Sequence, residues 1–161
     1  MNLSSWIGRH ARSRPHAVAI AEGAQPYATW ADLAARVAAV AGGLRSVHGL
    51  LPGDRVAIVM RNRPEYLVAK FAAWHAGLVA VPVNARLHRE EIAYILEDSG
   101  SKVVLTDDEH ADLDPLVGGV ARGDGHLGRL EGRRVVRRPD RACHASPCGP
   151  GRARRASGRS G

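Results

Sequence analysis

The sequence predicts an α/β fold, a parallel sheet with covering helices, and three observations carry that prediction. Between residues 50 and 107, short apolar runs alternate with amphipathic stretches in the order strand, helix, strand, helix, strand. The runs "RVAIVM", "LVAVPV" and "KVVLTD" are mostly continuous in apolar residues, as strands covered on both faces are. The stretches between them are long enough for helical crossovers, which are right-handed in such units.

The elements follow in order. Residues 3–13 form a short helix with Ser4 or Ser5 near its start, halted before Pro15. "AVAIAEGAQPYATW" reads as two β-prone runs around Glu22-Gly23, a hairpin. Thr29 opens the clearest helix. Its hydroxyl can accept the Asp32 amide while the Asp32 carboxylate reaches back, a weak form of the capping box. Leu33, Val37, Val40, Leu44 and Val47 then recur at helical spacing, and Gly49 ends the run. A Pro-Gly-Asp turn at 52–54 feeds a strand over 55–60. Pro64 suits the first turn of the next helix, which carries Leu67, Phe71 and Trp74 on one face and stops at Gly77. The strand after it should bury Leu78, Val79, Val81 and Val83, although Pro82 lies within it. "HREEIAYILEDSG" is a helix with acids at its start, Ile92, Ile95 and Leu96 inside and Gly100 at its end. "KVVLTD" is the third strand.

Composition narrows the partners. At 161 residues the chain suits one domain, which would bury roughly 70% of its extended-chain surface. Residues 1–114 hold 12 Lys+Arg against 13 Asp+Glu, a net of −1, and residues 115–161 hold 11 Arg against 3 acids, a net of +8. The overall +7 is therefore a property of the tail, and a nucleic-acid or membrane surface on the first part is excluded. No apolar run approaches a membrane span, and the N-terminus lacks a continuous apolar signal core. Arg9, Arg12 and Arg14 are spaced like a mitochondrial targeting helix, but read more simply as the solvated face of the first helix. The chain is taken as cytoplasmic. Both cysteines, Cys143 and Cys148, lie in the tail, so the first part has no disulfide framework.

Ligands of open α/β sheets bind beyond the carboxyl ends of the strands. Those ends are Arg61-Asn62, Asn84-Ala85-Arg86 and Thr106-Asp107. Asn84 and Arg86 are the binding candidates. The competing structural reading has Arg86 capping a helix or pairing with Glu90.

The stretch 53–107 resembles the early part of the adenylate-forming acyl-CoA synthetases, the AMP-binding enzymes. The resemblance is carried by Gly53-Asp54-Arg55-Val56-Ala57, Asn62 with Pro64-Glu65, Ala76-Gly77 and Val81-Pro82-Val83-Asn84. Arg86-Leu87, Glu91 and Glu97-Asp98-Ser99-Gly100 complete it. The upstream hairpin and long helix are similar as well, so residues 3–114 are covered, and 1–114 is identified as a partial N-terminal subdomain. The turn Pro82-Val83-Asn84-Ala85-Arg86-Leu87 is closer to fatty-acyl-CoA ligases than to the amino-acid-activating enzymes, which typically carry a Pro-Leu-Asp-Pro type turn.

The resemblance implies two half-reactions. A carboxylate attacks the α-phosphate of ATP, with Mg²⁺, giving an acyl-adenylate and pyrophosphate. The thiol of coenzyme A then displaces AMP. ATP, Mg²⁺ and coenzyme A are thus the cofactors, and a small carboxylic acid the partner, of the intact family. None is expected for this fragment, because the implied Thr-Ser-Gly-rich phosphate loop leading to Pro-Lys-Gly does not occur in the 161 residues. The nucleotide-gripping segment, the hinge Asp and the C-terminal catalytic lysine are absent too. Lys70 and Lys102, the two lysines, read as structural, and no catalytic residue is assigned.

Residues 115–161 are rich in Arg, Gly and Pro, contain no aromatic residue, and have no Leu, Ile or Val after Val136. Too little apolar surface is available there to offset chain entropy, so disorder is expected. Three readings compete. A nucleic-acid-binding arm would make the protein a non-catalytic α/β module, but nucleic acid is disfavoured because no aromatic side chain can stack a base. A metal site from Cys143, His144 and Cys148 falls short of four ligands. A break in the reading frame near residues 112–120 of a GC-rich gene is favoured, since it explains the lost pattern and the charge jump together.

Overall fold

The computed structural model describes residues 2–107, Leu113 and the strand 120–122. A helix α1 (Ser4–Ser13) leads into an antiparallel hairpin, β1 (Val18–Glu22) and β2 (Gln25–Thr29). There follow α2 (Trp30–Ser46), β3 (Arg55–Met60), α3 (Pro64–His75), β4 (Val79–Asn84), α4 (Arg89–Ser99), β5 (Val103–Thr106) and β6 (Val120–Arg122). The second sheet is parallel, with strands in the order β4-β3-β5-β6. The α/β prediction holds. β6 lies past residue 114, where sequence pattern alone placed the end of the folded part. The remaining tail, with Cys143, His144 and Cys148, falls outside the described residues.

Alternate residues of the strands point to opposite faces, and the helices divide accordingly. Val56, Ile58, Met60, Val103 and Leu105 pack with α2, α3, Ile7 of α1 and the hairpin. Ala57, Val59, Val83 and Val104 pack with Ile92 and Leu96 of α4 and with Leu113. So α3 and α4, the two crossovers, cover opposite faces. That places β3 and β4 on either side of a point where the connections part.

Local chemistry accounts for the helix ends. Thr29 and Asp32 form the reciprocal cap predicted, at 3.2 Å and 3.1 Å. The shared bond holds the Asp32 carboxyl below its ordinary range, chiefly through the Thr29 hydroxyl. Leu33, Val37, Val40 and Leu44 are buried as predicted, but Val47 is 53% exposed, because the helix ends at Ser46 and Val47 caps it. Gly77 and Gly100 take left-handed conformations after α3 and α4. Arg9, Arg12 and Arg14 are exposed, as a solvated helix face requires, and Arg14 lies over Trp30 at 5.5 Å.

Two further expectations are corrected. The buried face of α3 is Val68, Ala69, Ala72 and Ala73, while Leu67 is exposed and Phe71 and Trp74 are half-buried, ring against ring at 5.4 Å. Alanines let α3 approach the sheet and α2 closely, and the larger side chains lie at the rim. In β4, Leu78 and Val83 are buried but Val79 is 47% exposed and Val81 half-buried. β4 is the terminal strand among the described residues, so only one of its edges is covered.

Candidate functional site

The connections leaving β3 and β4 turn to opposite faces of the sheet, which opens a crevice between the carboxyl ends of these neighbours. This is the topological switch point at which open α/β sheets hold ligands. A cleft of about 760 Å³ occupies it, lined among others by Arg61, Asn62, Tyr66, Asn84 and Arg86. The structure thus brings the two predicted residues together with the polar end of β3. The third predicted end, at Asp107, acts from behind: its carboxylate, 3% exposed, accepts the Arg61 amide at 3.2 Å and ties the loop after β3 to β5.

Asn84 and Arg86 differ in what they have free. The Asn84 Oδ1 accepts the Arg86 amide at 3.0 Å, and the Asn84 carbonyl accepts the Leu87 amide at 3.2 Å, so a compact Asx turn sets the backbone. Its side-chain amide hydrogens are left to donate outward. Arg86 is exposed, and its guanidinium has no partner among the described residues. It neither caps α4 nor pairs with Glu90. The cap is His88, whose Nδ1 accepts the Glu90 amide at 3.5 Å while Glu91 accepts the His88 amide at 2.9 Å. Arg86 therefore offers five donors and a full positive charge at the rim of the cleft, a group suited to phosphate or carboxylate.

The wall behind the cleft is fixed by residues that sequence reading missed. Glu65, 6% exposed, accepts the Tyr27 hydroxyl at 2.9 Å and the Arg63 Nε at 2.9 Å. Arg36 donates to the same tyrosine oxygen at 2.9 Å and lies 4.9 Å over its ring. Burial and the Glu65 carboxylate together raise the Tyr27 pKa. This latch locks the hairpin and α2 onto the start of α3, just before Tyr66 of the cleft. Its members lie 38 positions apart in the chain, with no local signal to join them.

Neither lysine faces the cleft lining. Lys102 pairs with Asp54 at 2.7 Å, and Lys70 lies over Trp74 at 5.1 Å. Among the described residues no cluster of His, Cys, Asp and Glu could hold a metal ion, and no helix is long and apolar enough to cross a membrane.

Known proteins resemble this arrangement. The AMP-binding enzyme family model matches residues 7–143, again past residue 114. Feruloyl-CoA synthase of an Amycolatopsis species is 46% identical over 110 residues, which are 68% of this chain and 22% of that protein. A long-chain-fatty-acid–CoA ligase of Mycobacterium tuberculosis is 49% identical over 57 residues, 35% of this chain and 11% of that one. The crystal structure of the N-terminal domain of FACL13 from Mycobacterium tuberculosis superposes with a TM-score of 0.71 at 29% identity, over 93% of this chain and 39% of that one. The chain matches about a fifth or less of the length of these two curated relatives. Its matching elements are those of the N-terminal domain of such enzymes, and the chain belongs to the AMP-binding enzyme family.

Proposed function

We propose that this chain is the N-terminal portion of an ATP-dependent acyl-CoA synthetase of the fatty-acyl type, and that it is inactive alone. The whole reaction forms a bond between a carboxylate oxygen and the α-phosphorus of ATP as pyrophosphate leaves. A thioester then forms as the sulfur of coenzyme A replaces AMP at the acyl carbon. Charge developing at the phosphates calls for a cradle of backbone amides and a lysine, and neither element of the family pattern occurs in these 161 residues.

The observation that supports the reading is the crevice at the switch point, with an arginine on its rim that has no partner among the described residues, in a chain of this family. In the intact fold Arg86 would hold an anionic group of coenzyme A, and the amide of Asn84 would donate beside it. The Glu65–Tyr27 latch and Asp107 keep the opposite wall in place. A cytoplasmic setting suits the substrates. The Arg/Gly-rich composition after residue 115 fits a break in the reading frame, whereas the family match running to residue 143 speaks for an unbroken one. The nucleotide sequence downstream decides between them: a second frame encoding the phosphate loop is the outcome a break predicts.

The assignment of the cleft is tested by titrating coenzyme A into the whole chain and following backbone amide resonances. Shifts at Asn84, Ala85 and Arg86, weakened by Arg86→Ala and by added salt, are expected. Shifts confined to another surface, or shifts unchanged in the Arg86→Ala variant, would overturn it.

A further inference from the structure

Pro82 lies in the middle of a regular strand, opposite Ile58 in the parallel register. A proline is tolerated in a sheet only where its missing N–H faces away from the ladder. Two backbone bonds fix which way that is. The Val79 amide donates to the Asp54 carbonyl at 2.8 Å, so residue 79 faces β3. On the other side of β3, the Lys102 amide donates to the Arg55 carbonyl at 2.9 Å, so residue 55 faces β5. Strand alternation then turns Val81 and Val83 toward β3, and turns Ala80, Pro82 and Asn84 to the outer edge, which no other strand among the described residues covers. The Asn84 carbonyl is already taken by Leu87. What the edge presents is the Ala80 N–H and C=O, the Pro82 C=O and the Asn84 N–H, with a missing donor at the centre.

We propose that Pro82 closes the β4 edge to a second copy of this chain. The edge is otherwise suited to self-pairing. It is six residues long and begins at the exposed Val79. Two identical edges meeting antiparallel about a two-fold axis at position 82 would set residue 82 against residue 82. For outward-facing residues that pair exchanges two N–H···O=C bonds. Proline removes both donors at once, leaves two carbonyls without partners and brings two pyrrolidine rings together. An edge so interrupted resists strand-to-strand association.

The test is the self-association of the full chain, followed by sedimentation velocity across concentration. Pro82→Val and Pro82→Thr both restore the donor, and both are expected to dimerise or assemble at least about tenfold more tightly than the wild type, the equivalent of one or two hydrogen bonds. Adding Ala80→Pro to Pro82→Val sets a pyrrolidine ring against Asn84 of the second copy, and should weaken association relative to Pro82→Val alone with the fold intact. Val81→Pro removes a donor from the ladder to β3 and should abolish cooperative unfolding. Wild-type-like association of both position-82 variants would overturn the proposal. Association of the valine variant alone would also overturn it, since apolar surface rather than the donor would then be responsible. So would a double variant that unfolds or that associates as tightly as Pro82→Val alone.

Discussion

At the amino end of the parallel sheet the Gly53 amide meets the Gly77 carbonyl at 2.9 Å, and Asp54 bonds both the Leu51 amide and Lys102. A Cβ on Gly77 would sit 3.4 Å from Pro52. At the carboxyl end, by contrast, Asn62, Asn84 and Arg86 are exposed around a cleft of about 760 Å³, and the Arg86 guanidinium is unpaired among the described residues. The same three strands run through both ends. The difference shows where the chain spends its polar groups: on closing turns at one end, and on a rigid frame with free donors at the other.

Substitutions at the two ends should therefore separate stability from ligand binding. The largest effect is expected beneath the cleft, at its one heavily bonded point. Glu65→Ala removes the acceptor of the Tyr27 hydroxyl proton and a charged partner of Arg63, and should cost about 2–3 kcal/mol in urea unfolding. A cost under about 0.5 kcal/mol would mean that the latch does not hold the wall. Next comes the amino end. Gly77 has φ +78°, so Gly77→Ala forces a side chain into a left-handed conformation against Pro52 and should cost about 1–2 kcal/mol.

A smaller, pH-dependent effect is expected at His48, in the loop that leads to the amino-end turn. It is 5% exposed, both ring nitrogens lack a partner among the described residues, and burial holds its pKa below the ordinary 6.5. The unfolded chain takes up this proton first, so the stability His48 allows is complete above about pH 6.5 and is lost as pH falls below it. The midpoint of thermal unfolding should drop between pH 7.5 and pH 5.5, and His48→Leu should reduce that drop. An equal drop in the variant would assign it to other groups. The smallest stability change belongs to Arg86→Ala, within about 0.5 kcal/mol, since the side chain is exposed and has no polar partner among the described residues. A larger loss would erase the contrast between the ends.

Much of this was legible from local pattern. The Thr29–Asp32 cap and the stripe Leu33, Val37, Val40, Leu44 depend on residues a turn or two apart, and sequence shows those directly. The position of Asn84 and Arg86 followed from chain direction, because alternating strands and crossovers place every strand end on one side of the sheet. Three features were hidden. The buried face of α3 is made of alanines, which carry little hydrophobic signal beside Leu67, Phe71 and Trp74. The exposure of Val79 depends on which strand is terminal, a property of sheet order rather than of any residue. The Tyr27–Glu65 bond joins elements that only tertiary packing brings together.

The claim on which the rest depends is that these residues frame part of an adenylating site without supplying its nucleotide cradle. The direct measurement is to incubate the purified full chain with ATP, Mg²⁺, coenzyme A and a panel of fatty and aromatic carboxylic acids, and to quantify AMP and acyl-CoA. No acid-dependent AMP and no thioester are expected with any substrate; turnover to AMP and acyl-CoA by the chain alone would contradict the account.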